Sequence, residues 1–374
     1  MNNTFIQPGK TIGIIGGGQL GRMMALAAKE AGFRIIVLDP TKDCPCGQVA
    51  DEQIVAGYDD QHALQLLAEK SDVITFEFEN IDYEALHQLS KNAYVPQGAE
   101  IIRITQDRIT EKKTLVESGV KVAPFEVIRS TDELKNGVES LGYPCVLKTS
   151  RGGYDGKGQQ VIKTSEEISE AEKLLAHGDC VLESWIAFEK EISVIVARNI
   201  KGDMECFPVG ENIHVNNILH QTIVPARIKE SVENAAYELA KQVAEHVQLV
   251  GTLAVEMFLT RDGELFVNEL APRPHNSGHY SIEACDFSQF AQHIRSVCNW
   301  PLKKPELLKP VIMVNILGQH VEKLIEQIPL HSDWSIHLYG KEQAKYQRKM
   351  GHITVLTDDI EATLLKLNET RIWN

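Results

Sequence analysis

Apolar positions in the first hundred residues switch between two periods. "TIGIIGG" (11–17), "FRIIVLD" (33–39) and "DVITFEFE" (72–79) are apolar or alternating runs of strand length. "QLGRMMALAAKEAG" (19–32) and "QHALQLLAEK" (61–70) instead repeat their apolar residues at helical spacing. Strands alternating with helices predict a mainly parallel, doubly wound sheet.

Beyond residue 105 the pattern changes. A helix-like stretch, "DRITEKKTLVESGV" (107–120), precedes "YPCVLKTS" (143–150) and "GQQVIKT" (158–164), two strands flanking a glycine-rich loop. "DCVLESWI" (179–186) and "EISVIVAR" (191–198) are two more strands. Successive antiparallel strands after an α/β unit predict α+β character. The clearest amphipathic helix spans 231–249, with Val232, Ala235, Ala236, Leu239, Val243 and Val247 on one face. After Trp300 the proline-interrupted "PLKKPELLKP" reads as a linker. Strands near "VIMVNIL" and "SIHLYG" and a last helix, "IEATLLKLNET", then form a small third domain or an extension of the others.

Composition narrows the class. The 374 residues are 43% hydrophobic and 24% charged, an ordinary globular balance large enough for two or three domains. No apolar run approaches the roughly 18 residues of a membrane span, and the first residues lack a signal-peptide pattern. A cytoplasmic protein is expected. The seven cysteines are scattered, and "CPC" (44–46) lacks the further soft ligands of a zinc site, so reduced thiols are expected. A net charge of −14 argues against general nucleic-acid or membrane-surface binding. Cationic groups for an anionic substrate must therefore be concentrated in a pocket.

Four stretches carry chemistry. Gly16, Gly18 and Gly21 fit G-x-G-x-x-G between a strand and a helix, and Asp39 closes the next strand, as in dinucleotide-binding proteins. "KTSRGGYDGKGQ" (148–159) is a second glycine-rich loop in which Lys148 and Lys157 can neutralise a polyphosphate; it lacks the G-K-[ST] ending of a Walker loop. In "VEMFLTRDGELFVNEL", Asp262-Gly263 predicts a hairpin with a two-residue turn. That register sets Leu259 opposite Phe266, Phe258 opposite Val267 and Glu256 opposite Glu269. Facing carboxylates repel unless a cation sits between them, which suits a hard divalent ion with phosphate oxygens and the Asn268 amide oxygen. "APRPHNSGHY" then concentrates Arg273, His275, Asn276 and Ser277 in one stiffened loop, groups able to hold phosphate or developing negative charge. "YQRKMGH" adds Arg348, Lys349 and His352; alone, such a basic run is equally a solvated surface.

Together these stretches resemble ATP-grasp enzymes, which close ATP and a pair of Mg²⁺ ions between a glycine-rich hairpin and a carboxylate-bearing sheet. More narrowly, "GGGQLGRM", "GYDGKGQ", "PRPHNSGH" and "RKMGH" resemble the N5-carboxyaminoimidazole ribonucleotide synthetases of de novo purine biosynthesis. The likeness runs from about residue 11 to the end, and "PRPHNSGH" is its discriminating piece.

The resemblance implies an ATP-grasp fold with a Rossmann-like domain over 1–104, an ATP-grasp domain over 105–298 with a lid at about 126–187, and a small C-terminal domain over 299–374. It implies ATP contacts from Arg108, Lys148, Gly153, Tyr154, Asp155, Gly156, Lys157, Gly158, Gln159, Glu183, Ser184, Trp185, Ile186, Glu191, His214, Asn268 and Glu269, with Glu256 and Glu269 holding Mg²⁺. Around the aminoimidazole ribonucleotide it places Gln19, Leu20, Tyr154, Asp155, Arg273, His275, Asn276, Ser277, Arg348 and Lys349, and it gives Asp155, Arg273 and Lys349 catalytic roles. The N-terminal glycine turn would then receive the substrate's phosphate end, and Asp39 would lose any ribose role. The implied reaction is carboxylation of the substrate amine by bicarbonate and ATP through carboxyphosphate, in a homodimer acting on small molecules. Two alternatives are another ATP-grasp ligase or formyltransferase and a nicotinamide-dependent dehydrogenase; the dehydrogenase leaves the second glycine loop and the paired glutamates without roles.

Overall fold

The computed structural model describes residues 5–153 and 156–373. β1 (Thr11–Ile15), β2 (Arg34–Leu38), β3 (Glu52–Ile54) and β4 (Val73–Phe76) form a parallel sheet in the order β3-β2-β1-β4. α1 (Gln19–Glu30), α2 (Gln61–Lys70) and α3 (Tyr83–Asn92) connect or flank them. Asp60 and Asp82 cap α2 and α3 through the backbone N–H groups of the first turns.

The strand order reverses between β1 and β4, where a doubly wound sheet opens its crevice. Here the crevice is lined by the chain's own acids. The Gly18 and Gly21 amides both donate to Glu77, just after β4, and the Gly17 amide donates to Asp39 at 2.7 Å. Asp39 also accepts from the Thr41 amide and the Tyr58 hydroxyl. The donors expected to face an incoming anion thus already have carboxylate partners.

α4 (Glu100–Thr105) and α5 (Arg108–Glu117) lead to a second sheet. β5 (Phe125–Ile128), β6 (Cys145–Thr149), β7 (Gln159–Ile162) and β8 (Cys180–Ser184) pair antiparallel in the order β5-β8-β6-β7. α6 (Thr131–Leu141) and α7 (Ile168–Ala171) cover it, burying Leu134, Val138, Leu147 and Leu182 together.

The third sheet has nine strands. It contains β9 (Phe188–Arg198), β10 (Met204–Cys206), β11 (Gly210–Val215), β12 (Ile218–Val224), β13 (Gly251–Thr260) and β14 (Leu265–Ala271). α8 (Glu230–His246) packs on one face, with Val232, Ala236, Ala240, Val243 and Ala244 as its buried stripe. Ala235, expected on that stripe, is exposed, and the helix stops at His246 before Gln248 takes a positive φ of 49°. α9 (Ser281–Ala284) and α10 (Gln289–Val297) follow β14.

The C-terminal segment extends this same sheet. β15 (Val311–Leu317) pairs with β12, with Gln221 opposite Val314 and Val224 opposite Val311. β17 (Lys349–Leu356) pairs with β15 on one side and β16 (Trp334–Leu338) on the other, while α11 (Val321–Gln327) and α12 (Ile360–Glu369) accompany them. Among the described residues no helix is long and apolar enough to cross a membrane. All seven cysteines are free thiols.

The β13–β14 hairpin departs from its expected register in two places. Its loop is one residue longer, with Thr260 and Glu264 flanking a turn whose Gly263 has φ of +85°. Phe258 therefore faces Phe266, and Leu259 faces Leu265. A bulge at Asn268 then shifts the ladder back by one, so Glu256 does face Glu269. The two departures cancel at the carboxylates.

Candidate active site

A cavity of about 390 Å³ separates the small β5–β8 sheet from the nine-stranded sheet. From the small sheet and its loop come Lys148, Gly153, Gly156, Lys157, Gln159 and the segment Glu183 to Ile186. Arg108 enters from α5, Glu191 from β9, His214 from β11, Glu256 from β13, and Asn268 and Glu269 from β14. Arg273, His275 and Asn276 line the wall after β14, and Lys349 enters from the start of β17. The chain thus gathers into one groove side chains separated by more than two hundred residues.

The nucleotide end is built on buried charge. Glu183, 2% exposed, lies 3.1 Å from the Lys148 ammonium and 3.3 Å from that of Lys112. Burial raises the Glu183 carboxyl, but the two lysines outweigh it and hold it at about 2. Burial in turn lowers the Lys148 ammonium, an effect that Glu183 partly offsets. Glu191 lies 3.2 Å from His214 Nδ1; burial pulls that imidazole down, and Glu191 more than restores it.

At the centre stand the two facing carboxylates. Glu256 Oε1 is 3.0 Å from His275 Nε2, and Glu269 Oε2 accepts from Arg108 Nη1 at 3.3 Å. Burial raises the Glu256 carboxyl, while His275, His214 and Lys349 together pull it below the usual range. The Asn268 amide oxygen is buried without a hydrogen-bond partner, and so are both polar atoms of the Asn276 amide. Two carboxylates and an orphaned amide oxygen are hard oxygen donors, a set that fits Mg²⁺ completed by phosphate oxygens. Among the described residues no group of three or more His, Cys, Asp or Glu side chains forms a metal site unaided.

Arg273 is held in a two-pronged pair by Glu79, with Nε 2.6 Å and Nη2 3.0 Å from its two oxygens. Ser277 lies behind the groove wall at 1% exposure and holds His275 Nδ1 at 2.9 Å. Its hydroxyl continues to Ser193 at 2.8 Å and from there to Asn212. This relay fixes which face of His275 is turned to Glu256.

Other expected residues sit elsewhere. Gly158, at φ of +71°, closes the loop, its carbonyl accepting from the Thr149 amide. Gln19 and Leu20 occupy the first turn of α1, outside the cavity lining. Arg348 is exposed and donates to the Gln343 carbonyl. Tyr154 and Asp155 lie outside the described residues. Conversely, Glu79, Glu111 and Asn217 line the groove without having been singled out. Glu79 did carry a signal: charge at the end of an apolar parallel strand marks a ligand crevice.

Three family models match in order: the ribonucleotide synthetase preATP-grasp domain over 9–106, the ATP-grasp domain over 113–290, and the phosphoribosylaminoimidazole carboxylase C-terminal domain over 311–366. The chain is 56% identical to the N5-carboxyaminoimidazole ribonucleotide synthase of Bacillus subtilis over 95% of its own length and 94% of that protein's. Its fold superposes on the ADP complex of N5-carboxyaminoimidazole synthetase from Staphylococcus aureus with a TM-score of 0.95 and 46% identity, covering 98% of each chain. The Aspergillus clavatus enzyme, in complex with ADP and 5-aminoimidazole ribonucleotide, superposes with a TM-score of 0.90 and 30% identity over 98% of each chain. With an ATP-grasp groove, a preATP-grasp sheet and a matching C-terminal extension in a single chain, this protein belongs to the N5-carboxyaminoimidazole ribonucleotide synthase family.

Proposed function

We propose that the groove takes ATP at its Lys148–Glu183 end and the ribonucleotide at its Arg273–Lys349 end, with bicarbonate reacting between them. The chain is an ATP-grasp ligase that carboxylates 5-aminoimidazole ribonucleotide on nitrogen at the expense of ATP, a step of purine biosynthesis. The observation that carries the site assignment is the Glu256–Glu269 pair with its orphaned Asn268 amide oxygen, facing the glycine-rich loop across the groove.

In this reading a bicarbonate oxygen attacks the γ-phosphorus, the bond to ADP breaks, and carboxyphosphate forms. The substrate amine then attacks the carboxyl carbon, directly or as CO₂ released within the pocket, and inorganic phosphate leaves. Lys148 and Lys157 offset charge on the transferring phosphoryl group. Glu256, Glu269 and Asn268 would hold Mg²⁺, which when bound neutralises the β- and γ-phosphate oxygens. Arg273, aimed by Glu79, and Lys349 receive anionic groups of the ribonucleotide or the intermediate. His275, held from behind by Ser277, keeps its Nε2 toward Glu256. The loop around 152–158 excludes water from the labile anhydride. Asp155 would orient the amine or accept its proton.

The same reading divides the chain at 1–104, 105–298 and 299–374 and makes it a cytoplasmic homodimer. Free thiols support a reducing compartment.

The test is incubation with ATP, Mg²⁺ and ¹⁸O-bicarbonate, with and without 5-aminoimidazole ribonucleotide. Ribonucleotide-stimulated phosphate release with ¹⁸O carried into the phosphate is expected. Phosphate free of label, or release indifferent to the ribonucleotide, would refute the scheme.

A further inference from the structure

α5 runs along β14, and three of its side chains meet three consecutive residues of that strand. Lys112 donates to the Asn268 carbonyl at 3.0 Å, Arg108 donates to the Glu269 carboxylate at 3.3 Å, and Glu111 accepts from the Leu270 amide at 2.8 Å. Lys112 is the deepest of the three, with none of its side chain exposed. Its neighbour Lys113 is exposed.

An ammonium is costly to bury unless it is paired and hydrogen-bonded. Lys112 meets both conditions, and its two partners belong to different parts of the groove. Glu183, 3.3 Å away, lies next to the end of strand β8 of the small sheet. Asn268 is the bulge residue that the β13–β14 ladder skips between Glu269 and Val267. A skipped residue has no cross-strand partner to fix it. The register correction that sets Glu269 opposite Glu256 therefore depends on what else holds position 268.

We propose that Lys112 is a positioning residue for the carboxylate pair. Its hydrogen bond pins the bulge, keeping Glu269 opposite Glu256 and Asn268 in the groove wall, while its charge ties that bulge to the strand bearing Glu183. The inference rests on the reading of Glu256, Glu269 and Asn268 as the Mg²⁺-holding set.

The experiment measures Mn²⁺ binding by electron paramagnetic resonance in the presence of ADP, for wild type, K112M, K112Q and E269Q, with thermal melting in parallel. Outer-shell partners are typically worth about 10- to 100-fold in metal affinity. K112M, which loses both bond and charge, is expected to bind Mn²⁺ at least about tenfold more weakly. K112Q, which keeps a donor for the carbonyl and loses the charge, is expected about threefold weaker, since charge-assisted bonds are the stronger ones. Wild-type Mn²⁺ affinity in both variants, with E269Q weakened, overturns the role of Lys112. Unchanged affinity in E269Q overturns the metal reading itself. If K112M does not fold, K112Q decides alone: a loss of about threefold supports the role and wild-type affinity refutes it.

Discussion

Glu256 and Glu269 stand directly opposite each other across the β13–β14 ladder, each with its own side-chain partner, His275 Nε2 for the first and the Arg108 guanidinium for the second. Like charges so placed destabilise a sheet. Glu269→Gln is therefore expected to leave the ligand-free melting temperature unchanged or slightly higher. Turnover at limiting Mg²⁺ should drop at least about a hundredfold, beyond the usual range for an outer-shell partner. Wild-type turnover at limiting Mg²⁺ would refute the metal role.

Glu183 sets an acid limit on stability. Its carboxyl is held at about 2, below an ordinary value of about 4.3. The folded state binds this proton less readily than the unfolded chain. The resulting contribution, on the order of 3 kcal/mol, is complete above about pH 4.5 and lost as pH falls toward 2. Glu183→Gln should melt lower than wild type at neutral pH and lose less between pH 5 and pH 2. Parallel losses in the two proteins would contradict the assignment.

Glu111 acts in the opposite direction. Burial and the nearby Glu269 raise its carboxyl to about 8, despite Arg108 pulling it down. The folded state then binds this proton more tightly than the unfolded chain. Its contribution is complete below about pH 4.3 and fades as pH rises through 8. Glu111→Gln keeps an acceptor for the Leu270 amide, so it should flatten the fall in melting temperature between pH 6 and pH 9. An unchanged slope would show that Glu111 is not protonated in the folded protein at neutral pH.

Gly156 has φ of +79°, and a Cβ there would lie 2.5 Å from the Asn217 side chain in the β11–β12 turn. Left-handed backbone costs a non-glycine residue roughly 1–2 kcal/mol. Gly156→Ala should reduce kcat/KM for ATP about tenfold, the equivalent of that strain, while leaving the melting temperature near wild type. Removing Asn217 as well should recover only the part due to the contact. Full activity in the single variant would mean that the loop need not take this conformation.

The opposition of Glu256 and Glu269 is legible in the sequence because the Asp262-Gly263 turn sets the ladder to within one residue and two one-residue departures from it cancel at the carboxylates. The loop length and the bulge at Asn268 are not, since each is a one-residue choice made by packing, and here they offset each other. The helical periodicity of α8 gave the element but placed Ala235 inside, because which arc of an alanine-rich helix is covered depends on the sheet beneath it. The glycine fingerprint marked a genuine strand-to-helix turn, yet its donors end on Asp39, the acid that the fingerprint spacing marks, and on Glu77, a distant acid that the spacing does not reach. Lys112 sits one helical turn after Arg108 and so shares its face. That it is wholly buried, with Glu183 as partner, emerges only when α5, β8 and β14 meet. β11 and β12 alternate too weakly, in "GENIHVNNILHQTIV", to announce themselves as the strands that carry His214 and receive β15.

Continuity of the large sheet from β14 to β16 gives the groove a fixed ruler. Lys349 and the two carboxylates are mounted on one hydrogen-bonded lattice, so the span between them is counted in strands and set by register. Length changes in the 301–310 connection should leave that span intact. A single-residue deletion within β15 would turn each following side chain to the opposite face and carry β17, with Lys349, out of step with the nucleotide end.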